Sequence, residues 1–282
     1  MQGQHAIEMI IKDIEALFTN KPYSIEYVIA PRGSTCQKVG ENSRIIIDQN
    51  ISFFMITDLT DMMMVMIEVC HEVAHYLNRH SIYMSGSEED KVKEDKALEI
   101  WADFFGAKLM MTLILLGSRI RPAVKKIGYT GLDSLLKALN QALLRFYSTR
   151  YADSDGSPIY EKKDSRVGLC VAGINSVLDR AVGINYQRSY NVLKRLHQGT
   201  AVLETNEAGE SYMQDRNSIG VAFEIMKNLE VDGISMFDGM DPFAAYILGA
   251  GTYNTSEADR NKYVEVRKKR FLAQGFNLDS FD

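Results

Sequence analysis

Three of the chain's five histidines fall within ten residues, in the stretch "IEVCHEVAHYLNRH" from Ile67 to His80. His71 and His75 are four apart, so on a helix both imidazoles leave the same face about one turn from each other. That is the separation two ligands of a tetrahedral zinc ion need. Glu72 follows the first histidine and would point toward the open side of such an ion. A carboxylate there can take a proton from water and hand it to a leaving amine, while the metal polarises the carbonyl under attack. The flanking Val69, Cys70, Val73, Ala74, Tyr76 and Leu77 are uncharged and none is proline, as expected of ligands that project from a buried helix. A helix that carries histidines at its polar edge is the alternative these residues leave open.

A catalytic zinc of this kind takes a third protein ligand and leaves one position for water. Downstream, "KALEIWADFFGAKLMM" places Glu99 and Asp103 four apart on one face of an otherwise apolar helix. Carboxylates that face a buried neighbour need partners, because an isolated buried charge is prohibitively costly. Glu99 as the third ligand, with Asp103 accepting a hydrogen bond from the second nitrogen of a ligand histidine, satisfies both groups. The competing expectation is a pair of surface carboxylates bridged to Lys96 or Lys108. His80, nine past His71, extrapolates to the far side of the helix, facing solvent at its end. His5 and His197 have no metal-like company. Cys70 lies a third of a turn off the ligand face and reads as a small core residue, and the cluster Met62, Met63, Met64 and Met66 reads as core filling.

"HEVAH", followed 24 residues after its second histidine by "EIWADFFGAKLMM", resembles the gluzincin metallopeptidases. It is most similar to the small ImmA/IrrE-type peptidases, whose pattern continues E-x-x-A-(N/D)-x-F-A-x-x-L-(L/M)-M. Glu99, Ala102, Asp103, Phe105, Leu109 and Met111 each fall on that pattern, while Gly106 stands where alanine is usual and Thr112 where proline often follows. The resemblance covers roughly residues 1–120. It implies zinc bound by His71, His75 and Glu99, Glu72 as the base, and a rim of helix and short sheet on which an extended peptide could lie.

Gluzincins whose second motif reads E-x-x-A-D often carry a later H-P-S-x-x-x-R segment. Here "YEKKDSR" has Arg166 at the matching place and Tyr160 where histidine would stand. The parallel implies that Tyr160 or Arg166 stabilises an oxyanion, against the simpler reading of a loop tyrosine and a surface arginine. The general layout is also similar to the Lit-type phage-exclusion protease, although only the zinc motif can be matched residue by residue.

The elements that must position these groups follow from patterning. Ile7, Ile10, Ile11, Ile14 and Leu17 recur at helical spacing and predict a first helix ending near "TNKP". "SIEYVIA" and "SRIIID" predict two strands joined by the loop "PRGSTCQKVGEN". A buried helix over about 59–80, the acidic loop "SGSEEDKVKED" and a helix over about 93–116 complete a core by residue ~120. Further helices are expected near 121–149, 166–182, 186–198, 217–229, 241–249 and 257–273, with breaks at "YADSDGSP" and "ETNEAGES". The expected class is α+β, mostly α. It comprises a zincin-like catalytic core over residues 1–150 and an α-helical extension over 151–282, which could equally pack onto the core as one domain.

Composition bounds the partners. A net charge of -5 from 37 acids and 32 bases offers no field to a polyanion, so no nucleic acid is expected. "VRKKR" at 266–270 reads as a solvated helix face. Cys36, Cys70 and Cys170 are odd in number and contain no CxxC pair, which argues against a disulfide framework and fits a reducing cytoplasm. The first residues carry acids among apolar positions and do not read as a signal peptide. The most hydrophobic run, Phe104 to Gly117, is interrupted by Lys108 and falls short of the ~20 residues a bilayer span requires. The expectation is a cytoplasmic zinc endopeptidase acting on a specific protein or peptide, in bacterial regulation or phage defence. The rivals are a regulatory protein with a structural or sensory zinc site and a metal-free helical interaction protein.

Overall fold

A computed structural model describes residues 1–40, 42–82, 88–200, 221, 225 and 238–249. The expected loop "ETNEAGES", the helix over 257–273, the basic run at 266–270 and most of the segment 217–229 lie outside them. Within them the protein is mostly helical with one small mixed sheet, so the α+β, mostly α expectation holds.

The chain opens with α1 (Gly3–Glu15), whose apolar face buries Ile7, Ile10, Ile11 and Ile14. Three strands follow: β1 (Tyr27–Ala30), β2 (Thr35–Val39) and β3 (Asn42–Asp48). They lie in the order β1-β3-β2, with β1 parallel and β2 antiparallel to β3. Central β3 buries Ile45, Ile46 and Ile47 in succession, the mark of a strand covered on both faces. Sequence patterning placed β2 inside a loop. "TCQKV" is a half-exposed edge strand with little apolar content, and its hairpin turn uses Gly40 at φ 62°, a left-handed value that glycine adopts freely.

After the short α2 (Gln49–Phe53) comes α3 (Leu59–Leu77), the central helix. Asp58 caps it by accepting from the Asp61 amide, and Asp61 in turn accepts from the Thr57 amide and hydroxyl. Asn78 ends it, donating from Nδ2 to the Ala74 carbonyl and accepting from Trp101 Nε1 at 3.0 Å. Arg79 then takes φ 55°, and His80–Ile82 form one 3-10 turn.

Next, α4 (Glu88–Leu116) begins about five residues before the expected start, within what patterning assigned to the acidic loop. The segment expected as one helix over 121–149 divides into α5 (Ile120–Lys126) and α6 (Leu132–Ser148). The break falls at Gly128 and Gly131, whose φ values of 119° and 152° a helix cannot contain. α7 (Lys163–Val182), α8 (Tyr186–Leu196) and α9 (Pro242–Leu248) complete the described chain.

α4 lies between α3 and α7 and packs along both. Each crossing is closed by a glycine. A Cβ on Gly106 would sit 2.9 Å from the His71 Cα, and one on Gly173 of α7 would sit 2.3 Å from the Phe104 carbonyl oxygen. One apolar core runs from Ala6 through α3, α4, α6 and α7 to Leu248, crossing position 150 without a gap. α1 is tied in by a buried charge. Asp13 accepts from the Arg119 amide at 3.0 Å and the Ile120 amide at 2.8 Å, satisfying donors at the start of α5.

Among the described residues, no single helix is long and apolar enough to cross a membrane.

Candidate metal centre

α3 presents Glu68, His71, Glu72 and His75 toward a cleft of about 430 Å³, and α4 presents Asp95 and Glu99 from the opposite side. β2 supplies Thr35 and Cys36 to one wall. The other wall is built by the 150–160 segment, with Arg150, Tyr151, Asp153 and Tyr160. Of that second wall only Tyr160 is expected from the sequence; Arg150, Tyr151 and Asp153 lie beyond the recognisable motif, and only the fold returns them to it.

His71, His75 and Glu99 converge. His71 Nε2 lies 3.2 Å from His75 Nε2 and 3.3 Å from Glu99 Oε2, and His75 Nε2 lies 3.3 Å from Glu99 Oε1. A tetrahedral ion with bonds of about 2.0–2.1 Å holds its ligand atoms roughly 3.3 Å apart, so the donor set fits zinc in type and in spacing. The group can hold a metal ion.

Behind His71, its Nδ1 lies 3.0 Å from Asp103 Oδ1. Asp103 is buried and is gripped by Arg166, whose Nε donates to Oδ2 at 2.7 Å and whose Nη2 donates to Oδ1 at 3.0 Å. Tyr151 approaches the same carboxylate with its hydroxyl at 3.4 Å. Arg166 is sandwiched between aromatic rings, its Cζ 4.2 Å from the Tyr151 centroid and 4.6 Å from that of Tyr160. It is therefore no surface arginine. Two of its donors are committed to Asp103, and Nη2 also lies 3.8 Å from Glu99 Oε2.

The lysines offered as competing partners are engaged elsewhere. Lys96 Nζ pairs with Glu161 at 2.9 Å, and fully buried Lys108 donates to the Gly249 carbonyl at 2.8 Å on another face of α4.

His80 departs from the sequence expectation. It is 5% exposed and does not face solvent, and its Nδ1 lies 2.9 Å from His75 Nδ1. The extrapolation failed because it continued the helix, whereas the left-handed Arg79 turns the chain back under α3. An asparagine two residues before the histidine, Asn78, was the signal that the helix stops there.

Electrostatics separate the acids by role. Burial raises the Asp103 pKa, but Arg166 and His71 outweigh it and hold the carboxyl below its usual range. Burial opposes ionisation of Glu99 too, and His75 and His71 overcome it, keeping its pKa well below the ordinary value. Glu72 goes the other way. Burial raises its pKa more than the neighbouring histidines lower it. The Tyr160 hydroxyl is pushed up by the charge of Glu99 and then by burial, so it stays a protonated donor beside the cleft.

Gly106 explains one departure from the peptidase pattern. An alanine there would meet the backbone of Cys70 and His71 at 2.9–3.0 Å, and backbone atoms cannot step aside as a side chain can. Helix propensity favours alanine over glycine by about 1 kcal/mol, and overpacking costs about 1–3 kcal/mol. Gly106→Ala is expected to lower stability by up to roughly 2 kcal/mol on that balance. It should also weaken metal binding by spreading α3 from α4, measured by urea midpoint and zinc titration. An unchanged urea midpoint and zinc affinity would mean that the two helices have slack at this crossing.

Searches of protein-family models, curated proteins and solved structures found no match to this chain.

Proposed function

We propose that the chain is a zinc-dependent endopeptidase of gluzincin type, similar to the ImmA/IrrE-like peptidases. In this reading residues 1–150 form a zincin-like core. It hydrolyses a peptide bond in a specific protein of the cytoplasm, in bacterial regulation or phage defence. The observation that carries the reading is the convergence of His71, His75 and Glu99 beside Glu72 in an open cleft.

When bound, zinc supplies Lewis acidity to a carbonyl oxygen and lowers the pKa of water near 7. The chain's own residues do the rest. An extended substrate pairs its main chain with the edge strand β2 along the cleft. Glu72 takes the proton of the attacking water and delivers it to the leaving nitrogen. Tyr160 is the better placed of the two expected oxyanion donors, because Arg166 is bound to Asp103 and acts by holding Asp103, and through it His71, in one orientation. A site that served structure alone would have no use for a buried glutamate with a raised pKa.

The test is metal content. Purified protein is expected to hold one zinc, and Glu99→Ala to lose most of that occupancy, since two imidazoles alone are a weak site. Comparison of protein termini in cells expressing the intact chain or an inactive variant then identifies the substrate. If the protein holds no stoichiometric zinc and takes none up, the enzyme reading is lost.

A further inference from the structure

The two histidine ligands of the proposed centre are backed differently. His71 turns Nδ1 to Asp103, whose charge Arg166 matches. His75 turns Nδ1 to a third imidazole. His80 Nδ1 is 2.9 Å away, and the rings meet edge to face with centroids 4.9 Å apart. For His75 Nε2 to offer its lone pair to a cation, the ring proton must sit on Nδ1. That proton then points at His80 Nδ1, which accepts it and keeps its own proton on Nε2. We infer that His80 is a positioning residue that fixes the tautomer and ring angle of His75 and thereby sets the affinity of the centre for its cation. The inference rests on the metal reading of His71, His75 and Glu99.

Three features argue that this contact is more than space filling. Reaching it requires Arg79 at φ 55°, a left-handed value that is unfavourable for a residue with a side chain, and such conformations persist where the surroundings demand them. His80 is buried, yet its Nε2 meets no acceptor among the described residues. A buried donor without a partner is destabilising, so a phenyl ring would fill the space at lower cost. Charge is the third. Glu72, Glu99 and Asp103 already crowd the centre, and another carboxylate behind His75 would be buried against like charge. An imidazole accepts the same proton and adds none.

The experiment uses the full chain with His80→Phe, which keeps a ring and removes the acceptor, and His80→Asn, which returns a smaller acceptor. Zinc affinity is read by competition with a chromogenic chelator, and folding by the thermal midpoint of chelator-treated protein. His80→Phe is expected to bind zinc about 10–100-fold more weakly, with its metal-free midpoint equal to or above that of the parent. His80→Asn should fall between the two in affinity. In the zinc-loaded parent, nitrogen NMR of the imidazoles should show His80 with its proton on Nε2 and a His75 Nδ1 proton slow to exchange. Parent-like zinc affinity in His80→Phe, or a His80 proton on Nδ1, overturns the inference while leaving the metal reading intact. A parent that takes up no zinc removes both. If His80→Phe fails to fold, the parent spectrum and His80→Asn still decide.

Discussion

Glu72→Gln should abolish proteolysis while leaving zinc in place. Glu72 is not among the three groups whose donor atoms converge, so its loss leaves the ligand set whole. Glutamine has nearly the same shape and cannot carry the proton. Loss of a positioned general base lowers rate on the order of 10²–10⁴-fold. Stability moves the other way or stays level, because a buried acid with a raised pKa is replaced by a neutral amide. The measurement is turnover of the identified substrate beside zinc stoichiometry and thermal midpoint for both proteins. Retained activity at full zinc would show that another group takes the proton.

Arg166→Met is expected to have the largest effect on stability. Methionine approximates the aliphatic stem and removes the forked donors that hold both oxygens of Asp103. Removing one partner of a buried pair leaves the other charge uncompensated, at about 3–5 kcal/mol. Zinc affinity should fall as well, by about 10–100-fold, since His71 loses a fixed acceptor. Lysine is no substitute, because it cannot make the bidentate contact. The double variant Arg166→Met, Asp103→Leu separates the two effects. It should recover much of the stability, as apolar replacement of buried ion pairs often does, and recover none of the metal affinity. Urea denaturation of the two single variants and the double one closes the cycle. Independent, additive losses would show that the two side chains do not act as a pair.

How much of this was legible in the sequence depended on whether a residue's partner lay within one helix or across the fold. His71, Glu72 and His75 share a helix, so their common face follows from spacing alone. Glu99 and Asp103 were legible as a pair for the same reason, and their direction followed because acids on an apolar helix need partners. Arg166 was noticed only through a partial family motif, and nothing local says that its guanidinium crosses to α4. His80 was misplaced because periodicity has no term for where a helix ends. Strand β2 was missed because an exposed edge strand lacks the apolar alternation by which strands are recognised. The split between α5 and α6 was within reach, since "IGYTG" carries two glycines in four residues.

The grip of Arg166 on Asp103 joins residues 63 positions apart. A growing polypeptide that has emerged only as far as α6 already carries every proposed ligand, yet it lacks the guanidinium that grips both oxygens of Asp103 behind His71. The set of contacts behind the proposed centre is therefore complete only once α7 has left the ribosome and docked.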